Sequence, residues 1–166
     1  MDSLFSPPEG RQGAQWRPVS PKLSTARRLV LVPGVLLVTI VAAVVLLVSG
    51  IAVWAGVAAV LGLVVLAWGW FVIGRMTRNL GYAESADELY IRRGMMWRSL
   101  TVVPYGRMQY VDVQAGPVEQ VFGIASVHLH TAAPGTSARL PGLPREEAAR
   151  LRDRLTELGE TQAAGL

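Results

Sequence analysis

The 166-residue sequence has no cysteine, one lysine and two histidines. Without thiols there is no disulfide framework, no thiolate nucleophile and no cysteine-based zinc or iron–sulfur site. The histidines, His128 and His130, share a strand face at two-residue spacing, but no second pair of ligands stands where it would complete a metal site. No metal or other cofactor is expected. The G-x-S-x-G, H-E-x-x-H, P-loop and G-x-G-x-x-G patterns are missing too, which leaves the common nucleophilic, zinc-hydrolytic and nucleotide-binding arrangements without support. Asp112, between valines in a strand run, has no predictable His or Ser partner and reads as a solvated edge residue. No catalytic residue is assigned, and an enzyme is not expected.

A concentrated positive face is also lacking. The formal net charge is +4, but residues 1–28 hold five basic residues against two acids, and residues 74–166 hold eleven arginines against ten acids. The part able to fold in water is therefore nearly neutral, and Arg75 and Arg78 account for its surplus. A nucleic-acid partner is not expected.

The longest absence is of charge itself. From Leu29 to Ile73 there are 45 residues without Asp, Glu, Lys, Arg or His. One helix of that length would reach about 68 Å, more than twice the roughly 30 Å of a bilayer's hydrocarbon core. The stretch must divide, and Ser49-Gly50 is the best place, since glycine accepts the backbone angles of a tight turn. The halves, 29–48 and 51–73, each match one crossing. The first carries fifteen Leu, Val or Ile, an insertion term of roughly −5 to −9 kcal/mol as an upper bound. Its length exceeds that of a secretory signal core, and a second span follows at once, so a helical hairpin is the better reading. Arg27 and Arg28 precede the pair and Arg75 and Arg78 follow it, which by the positive-inside rule places both termini in the cytoplasm of a plasma (inner) membrane protein. Ala52, Gly56, Ala59 and Gly62 would let the second helix lie close to the first or to another copy, unless they are simply the small residues that lipid accepts. With only Thr39 and Ser49 as polar groups besides tryptophan, the pair alone is a poor channel or pump.

The remainder changes texture. Residues 79–143 show short alternating runs punctuated by Gly and Pro, about six strands in all. In "DELYIRRG" Leu89 and Ile91 share one face; "WRSLTVVPYGRMQYVDVQAG" gives two strands with a turn near Pro104–Gly106. "PVEQVFG" forms one helical turn stopped by Gly123. "GIASVHLHTA" places Ala125, Val127 and Leu129 inward and Ser126, His128 and His130 outward. After a loop, "AAPGTSARLPG", an amphipathic helix begins at Pro144 and ends before Gly159, with Ala148, Leu151, Leu155 and Leu158 as its apolar stripe. Antiparallel strands capped by one helix predict an all-β barrel or sandwich over 79–159. Residues 1–28 are expected to be an N-terminal segment, disordered over 1–14 and juxtamembrane beyond, and 160–166 a disordered tail.

The order "QWRPVSPKL", two spans, "DELYIRRG", "VVPYGRMQYVDVQAGPVEQVFGIASVHLHTA" and "LPGLPREEAARLRDRL" resembles the bacterial pleckstrin-homology (PH) domain membrane proteins of the YdbS-like type. The resemblance covers Gln15 to Leu158. It implies a PH-like barrel with a C-terminal helix, attached to the inner membrane.

Arg92, Arg93 and Arg98 flank "GMMW", a hairpin tip. They are candidates for lipid-headgroup contact, with Met95, Met96 and Trp97 entering the interface, each arginine contributing on the order of 1 kcal/mol near an anionic surface. The bland alternative is a solvated turn with Trp97 packed in the barrel. Trp16, with Arg27, Arg28, Arg75 and Arg78, flanks the membrane. The expected function is a non-catalytic binding or scaffolding module whose partners are membrane lipids, another protein or its own copies. The alternative is an accessory or regulatory subunit of a membrane transporter or envelope assembly.

Overall fold

The computed structural model describes residues 15–95, 98–131 and 137–164. It divides into two compact units: Ser24–Arg75, and a β-rich unit combining Met1–Leu23 with Met76–Leu166.

In the first unit, α1 (Lys22–Val48) and α2 (Ala52–Arg78) are joined by a turn at Ser49-Gly50. Gly50 has φ +77, the left-handed region that lacks a penalty only for glycine, and Ser49 Oγ donates to the Val45 carbonyl at 2.8 Å. The chain turns back where the sequence says. Both helices outrun the apolar run: α1 starts at Lys22, not Leu29, and α2 continues past Ile73 to Arg78. Pro21 stands just before α1, where its missing N–H costs nothing, and no proline interrupts α2. Large apolar side chains lie outward, with Val53 81% exposed, a surface suited to lipid and not to water.

Where α1 and α2 meet, a Cβ on Gly62 would collide with Thr39, and one on Gly69 would fall 2.6 Å from Leu31. Buried Ala55 continues this line, so the seam repeats every seven residues, as in left-handed helix pairing. Of the four small residues expected to ease approach, Gly62 is the one that lies against α1. Ala52, Gly56 and Ala59 are exposed, because their shorter spacing drifts off a seven-residue seam.

The β-rich unit holds two antiparallel sheets. One has the order β1 (Arg17–Pro18), β2 (Gly81–Glu84), β3 (Glu88–Arg93), β4 (Ser99–Pro104); the other runs β5 (Met108–Gln114), β6 (Ile124–Thr131), β7 (Ala138–Pro144). A 3-10 turn, Tyr105–Arg107, carries the chain between them, α3 (Pro117–Val121) links β5 to β6, and α4 (Arg145–Ala164) packs on β5, β6, β7 and the 3-10 turn. This is the expected PH-like arrangement of strands and a closing helix, with one correction. Among the described residues no ladder joins β4 to β5 or β1 to β7, so the strands form two sheets rather than a closed barrel. The 3-10 turn separates one pair of edges; at the other, β1 has only two residues and Pro18 has no donor.

The seventh strand comes from an unexpected place. Six strands follow the membrane pair, and β1 precedes it, pairing Arg17 with Tyr82 and Pro18 with Gly81. Beyond the ladder, Val19 N–H donates to the Leu80 carbonyl at 3.5 Å, and Ser20 N–H donates to the Gly142 carbonyl in β7 at 2.9 Å. The segment before the apolar pair thus contributes a strand and the first turns of α1 over residues 15–28; residues 1–14, expected to be disordered, lie outside the described residues.

Two further boundaries differ from the sequence reading. The run "ARLPG", taken there as loop, is most of β7. It tolerates Pro141 and Pro144 because β7 is a sheet edge, and one extra residue is absorbed at Pro141–Gly142 opposite Ser126, where Gly142 has φ +79. Helix α4 starts at Arg145, after Pro144 closes β7, and passes through Gly159 to Ala164, so the expected tail is largely helical. At Gly159 α4 passes over the 3-10 turn, and a Cβ there would make an ordinary contact with the Tyr105 carbonyl at 3.7 Å.

The core joins both sheets to α4: Tyr82, Leu89, Ile91 and Val103 from one, Ile124, Val127, Leu129, Leu140 and Leu143 from the other, with Leu151 and Leu155 of the helix. The predicted stripe of α4 faces this core. Leu151→Ala is expected to destabilise the unit by about 2–5 kcal/mol in denaturant unfolding of the detergent-solubilised chain. Gly142→Ala should cost more than 1 kcal/mol by the same measurement, roughly the scale of a strained left-handed backbone, since its Cβ would meet Leu23 at 2.7 Å as well.

Candidate functional site

The β3–β4 hairpin places its arginines differently from one another. Side chains alternate along β3, so Arg93 shares the inward face of the fully buried Leu89 and Ile91. Its Nε and Nη2 are shut off from solvent and have no hydrogen-bond partner. Burial lowers the pKa of Arg93, and nearby Arg139 of β7 lowers it further. Arg92 points the other way and lies over the Trp16 ring, 4.8 Å from its centroid, a cation–π contact that ties the hairpin to the segment before the membrane. Arg98 is exposed. Met96 and Trp97 lie outside the described residues. The three arginines thus do not form a single patch, and the structure adds Arg139, hidden from the sequence because β7 reads as a loop.

The membrane-flanking residues fall at the helix ends. Within the apolar pair, the Arg28 guanidinium sits 4.0 Å from the Trp70 ring centroid, and its Nη2 donates to the Trp70 carbonyl at 3.2 Å. Arg75 and Arg78 are exposed. Arg27 borders an apolar groove of about 670 Å³ between the helices, floored by Gly34 and Gly62, with Thr39 as its other polar residue.

On the outer face of the second sheet, the Tyr110 and His130 rings stack at 4.2 Å, with His128 beyond them, 6.5 Å from His130. Cross-strand pairing sets His128 between Asp112 and Arg139. Burial, then Arg139, pushes the His128 pKa down. Among the described residues no group of three His, Cys, Asp or Glu side chains gathers around a common point. Asp112 accepts a bond from Gln114 at 2.7 Å. Ser126, expected to face outward, is buried because α3 lies over it: its hydroxyl donates to Glu119 at 2.9 Å and accepts from Arg139 at 3.3 Å.

The densest polar cluster fastens β1 to α4. Glu147 Oε1 accepts from Tyr82, from Arg17 at 3.0 Å and from Arg150 Nη2 at 2.8 Å, and its Oε2 accepts from Arg150 Nε at 3.0 Å. Arg150 also reaches Glu84 at 2.6 Å, and Arg154 adds a second bond to that carboxylate at 3.1 Å. Gln15, Arg17, Glu84, Arg150 and Arg154 enclose a polar pocket of about 170 Å³. Only the Glu147–Arg150 spacing on one helix was visible in the sequence; the partners from β1 and β2 needed the fold.

Hydrogen bonds from Arg150, and further ones from Tyr82 and Arg17, hold the Glu147 carboxyl at about 2 against an opposing push from burial. Burial is the main reason that Tyr82 rises to about 12. Glu147 is a depressed acid, so its contribution is complete above its ordinary value of 4.5 and disappears as pH falls from there toward 2. Tyr82 is a raised acid, so stability declines as pH climbs from 10 toward 12. Glu147→Gln should remove on the order of 1–3 kcal/mol at neutral pH and flatten the acid limb of stability against pH, read by denaturant unfolding. Tyr82→Phe should flatten the alkaline limb.

Residues 27–159 match the bacterial PH domain family. Over 89 residues the chain is 34% identical to the UPF0699 transmembrane protein YdbS of Bacillus subtilis (strain 168), an alignment covering 53% of this chain and 55% of that protein. The chain thus spans about half the length of that curated relative. No solved structure matches. The family match takes in most of α1, all of α2, strands β2 to β7 and most of α4, and the chain belongs to the bacterial PH domain family as a transmembrane member.

Proposed function

We propose that this protein crosses the plasma membrane twice, keeps both termini in the cytoplasm, and presents its PH-like unit there as a non-catalytic docking module for a protein or lipid surface. The observation that carries this reading is the β1–β2 ladder. Arg17 and Pro18 before the apolar pair bond to Gly81 and Tyr82 after it, so the flanks of the pair belong to one folded unit and stand on one side of any membrane the pair enters. An even number of crossings follows, and two helices supply it. The arginines at both outer ends favour the cytoplasmic side. Support for a non-catalytic role comes from the deployment of polar groups: Tyr82, Glu84, Glu147 and Arg150 are committed to holding β1 on α4, and Glu119 and Ser126 to seating α3. Each of them is engaged in the architecture.

The chain has no native cysteine, so introduced thiols report without background. Ser49→Cys, in the exposed turn between the helices, is expected to react with an impermeant maleimide in cells whose outer barrier is permeable. Ser137→Cys, exposed before β7, is expected to react only after lysis. The reverse pattern would reject the orientation, and reaction of both in intact cells would reject the double crossing.

A further inference from the structure

From the apolar groove between α1 and α2, we infer that the helix pair retains one anionic phospholipid, its acyl chain lying in the groove and its phosphate against Arg27. This goes beyond the docking reading and takes from it only that the pair lies in a bilayer. The groove runs beside the seam that Thr39 makes with Gly62 and Leu31 with Gly69. Its α1 wall extends from Arg27 to Ala42 and its α2 wall from Ile73 back to Ala58, so in an antiparallel hairpin Arg27 and Ile73 share one end and the two alanines the other. At Gly34 an added Cβ would meet nothing within 4 Å, which marks the open part of the wall. Arg27 and Thr39 are the polar residues of the lining, and no acid stands among them.

Size decides the occupant. From Arg27 to Ala42 the helix axis advances about 22 Å at 1.5 Å per residue, and a volume of about 670 Å³ spread over that length gives a channel only about 6 Å across. A helix with its side chains is about 10–12 Å wide, too broad to enter, whether it comes from a second copy or from another protein. A single hydrocarbon chain is thin enough, and the groove is longer than the roughly 15 Å depth of one leaflet, half of the hydrocarbon core. Water does not suit the space, since a stable water needs two to four polar partners. Charge decides the headgroup. Arg27 stands two residues before Leu29, where the uncharged run begins, which is the level of the lipid phosphates. A guanidinium there makes a charge-assisted bond to a phosphate oxygen. Arg28 is already committed to Trp70, and Arg75 and Arg78 do not line the groove.

The test uses the full chain in a mild nonionic detergent, with bound lipid read by native mass spectrometry. Titration with phosphatidylglycerol should saturate at one lipid per chain, and phosphatidylcholine should bind about fivefold more weakly, the scale of one cation at a charged surface. Gly34→Leu should fill the groove and cut phosphatidylglycerol binding at least about tenfold. Its unfolding midpoint should not fall, because the position is open and leucine is the better helix former, so a loss of lipid there is not a loss of fold. Val38→Phe, on the groove's rim and 69% exposed, should weaken binding in the same direction. Gly56→Leu, equally open but outside the groove, should leave it unchanged. Arg27→Gln should abolish the preference for phosphatidylglycerol while a lipid is still held, and Arg27→Lys should keep the preference. Native-level binding in both Gly34→Leu and Val38→Phe overturns the inference, as does equal binding of the two lipids by the native chain or binding of neither. A dimer that dissociates in Gly34→Leu while lipid binding stays constant would overturn it in favour of a second copy. None of these readings depends on which side of the membrane the termini face, so the lipid site and the topology fail independently.

Discussion

The β-rich unit depends on the return of residues 16–20 to strands that lie on the far side of the whole apolar pair in sequence. That return is built from few backbone bonds. The ladder with β2 has two residue pairs, and Ser20 adds one bond to β7. Side chains supply what the short backbone cannot. Glu147 gathers Arg17, Tyr82 and Arg150 on a single carboxylate, Trp16 receives Arg92, and Leu23 fills the space above Gly142. The unit is therefore a sandwich in which one corner is stitched by polar contacts and the interior is filled by the strand and helix core. Removing the carboxylate loosens the corner and leaves the apolar interior in place.

Gly142 shows how closely the two levels are linked. Its positive φ absorbs the extra residue in β7, its carbonyl receives Ser20, and its missing side chain admits Leu23. A conformation that only glycine adopts freely thus also sets the register of an edge strand and the seat of the incoming segment. Gly62 acts more simply, letting the backbone of α2 lie close beside Thr39.

Much of the architecture was legible because periodicity is a local property. The apolar run, the Ser49-Gly50 turn, the stripe of α4, and the alternation of Ala125, Val127 and Leu129 all follow from residues near one another. What escaped was set at a distance. β1 carries no strand pattern, since a two-residue strand containing proline cannot, and its pairing is decided by Tyr82 and Gly81. β7 was obscured by Pro141, Gly142 and Pro144, each a breaker when judged alone and each accommodated at an edge with a bulge. The charge cluster around Glu147 and the proximity of Arg93 to Arg139 join elements that only tertiary structure brings together. The alternating pattern did carry one clue to the site: Arg93 continues the parity of Leu89 and Ile91 and so was bound to turn inward.

The position of β1 also orders events in time. A ribosome releases Arg17 and Pro18 long before Gly81 and Tyr82, and both hydrophobic segments are made in the interval. The first strand must therefore wait, and the sandwich cannot complete until both apolar helices and β2 have been made. A chain that threaded only one helix would strand its first strand in the wrong compartment, leaving β2 with a naked edge and the corner beside Gly142 unsealed, a target for proteases.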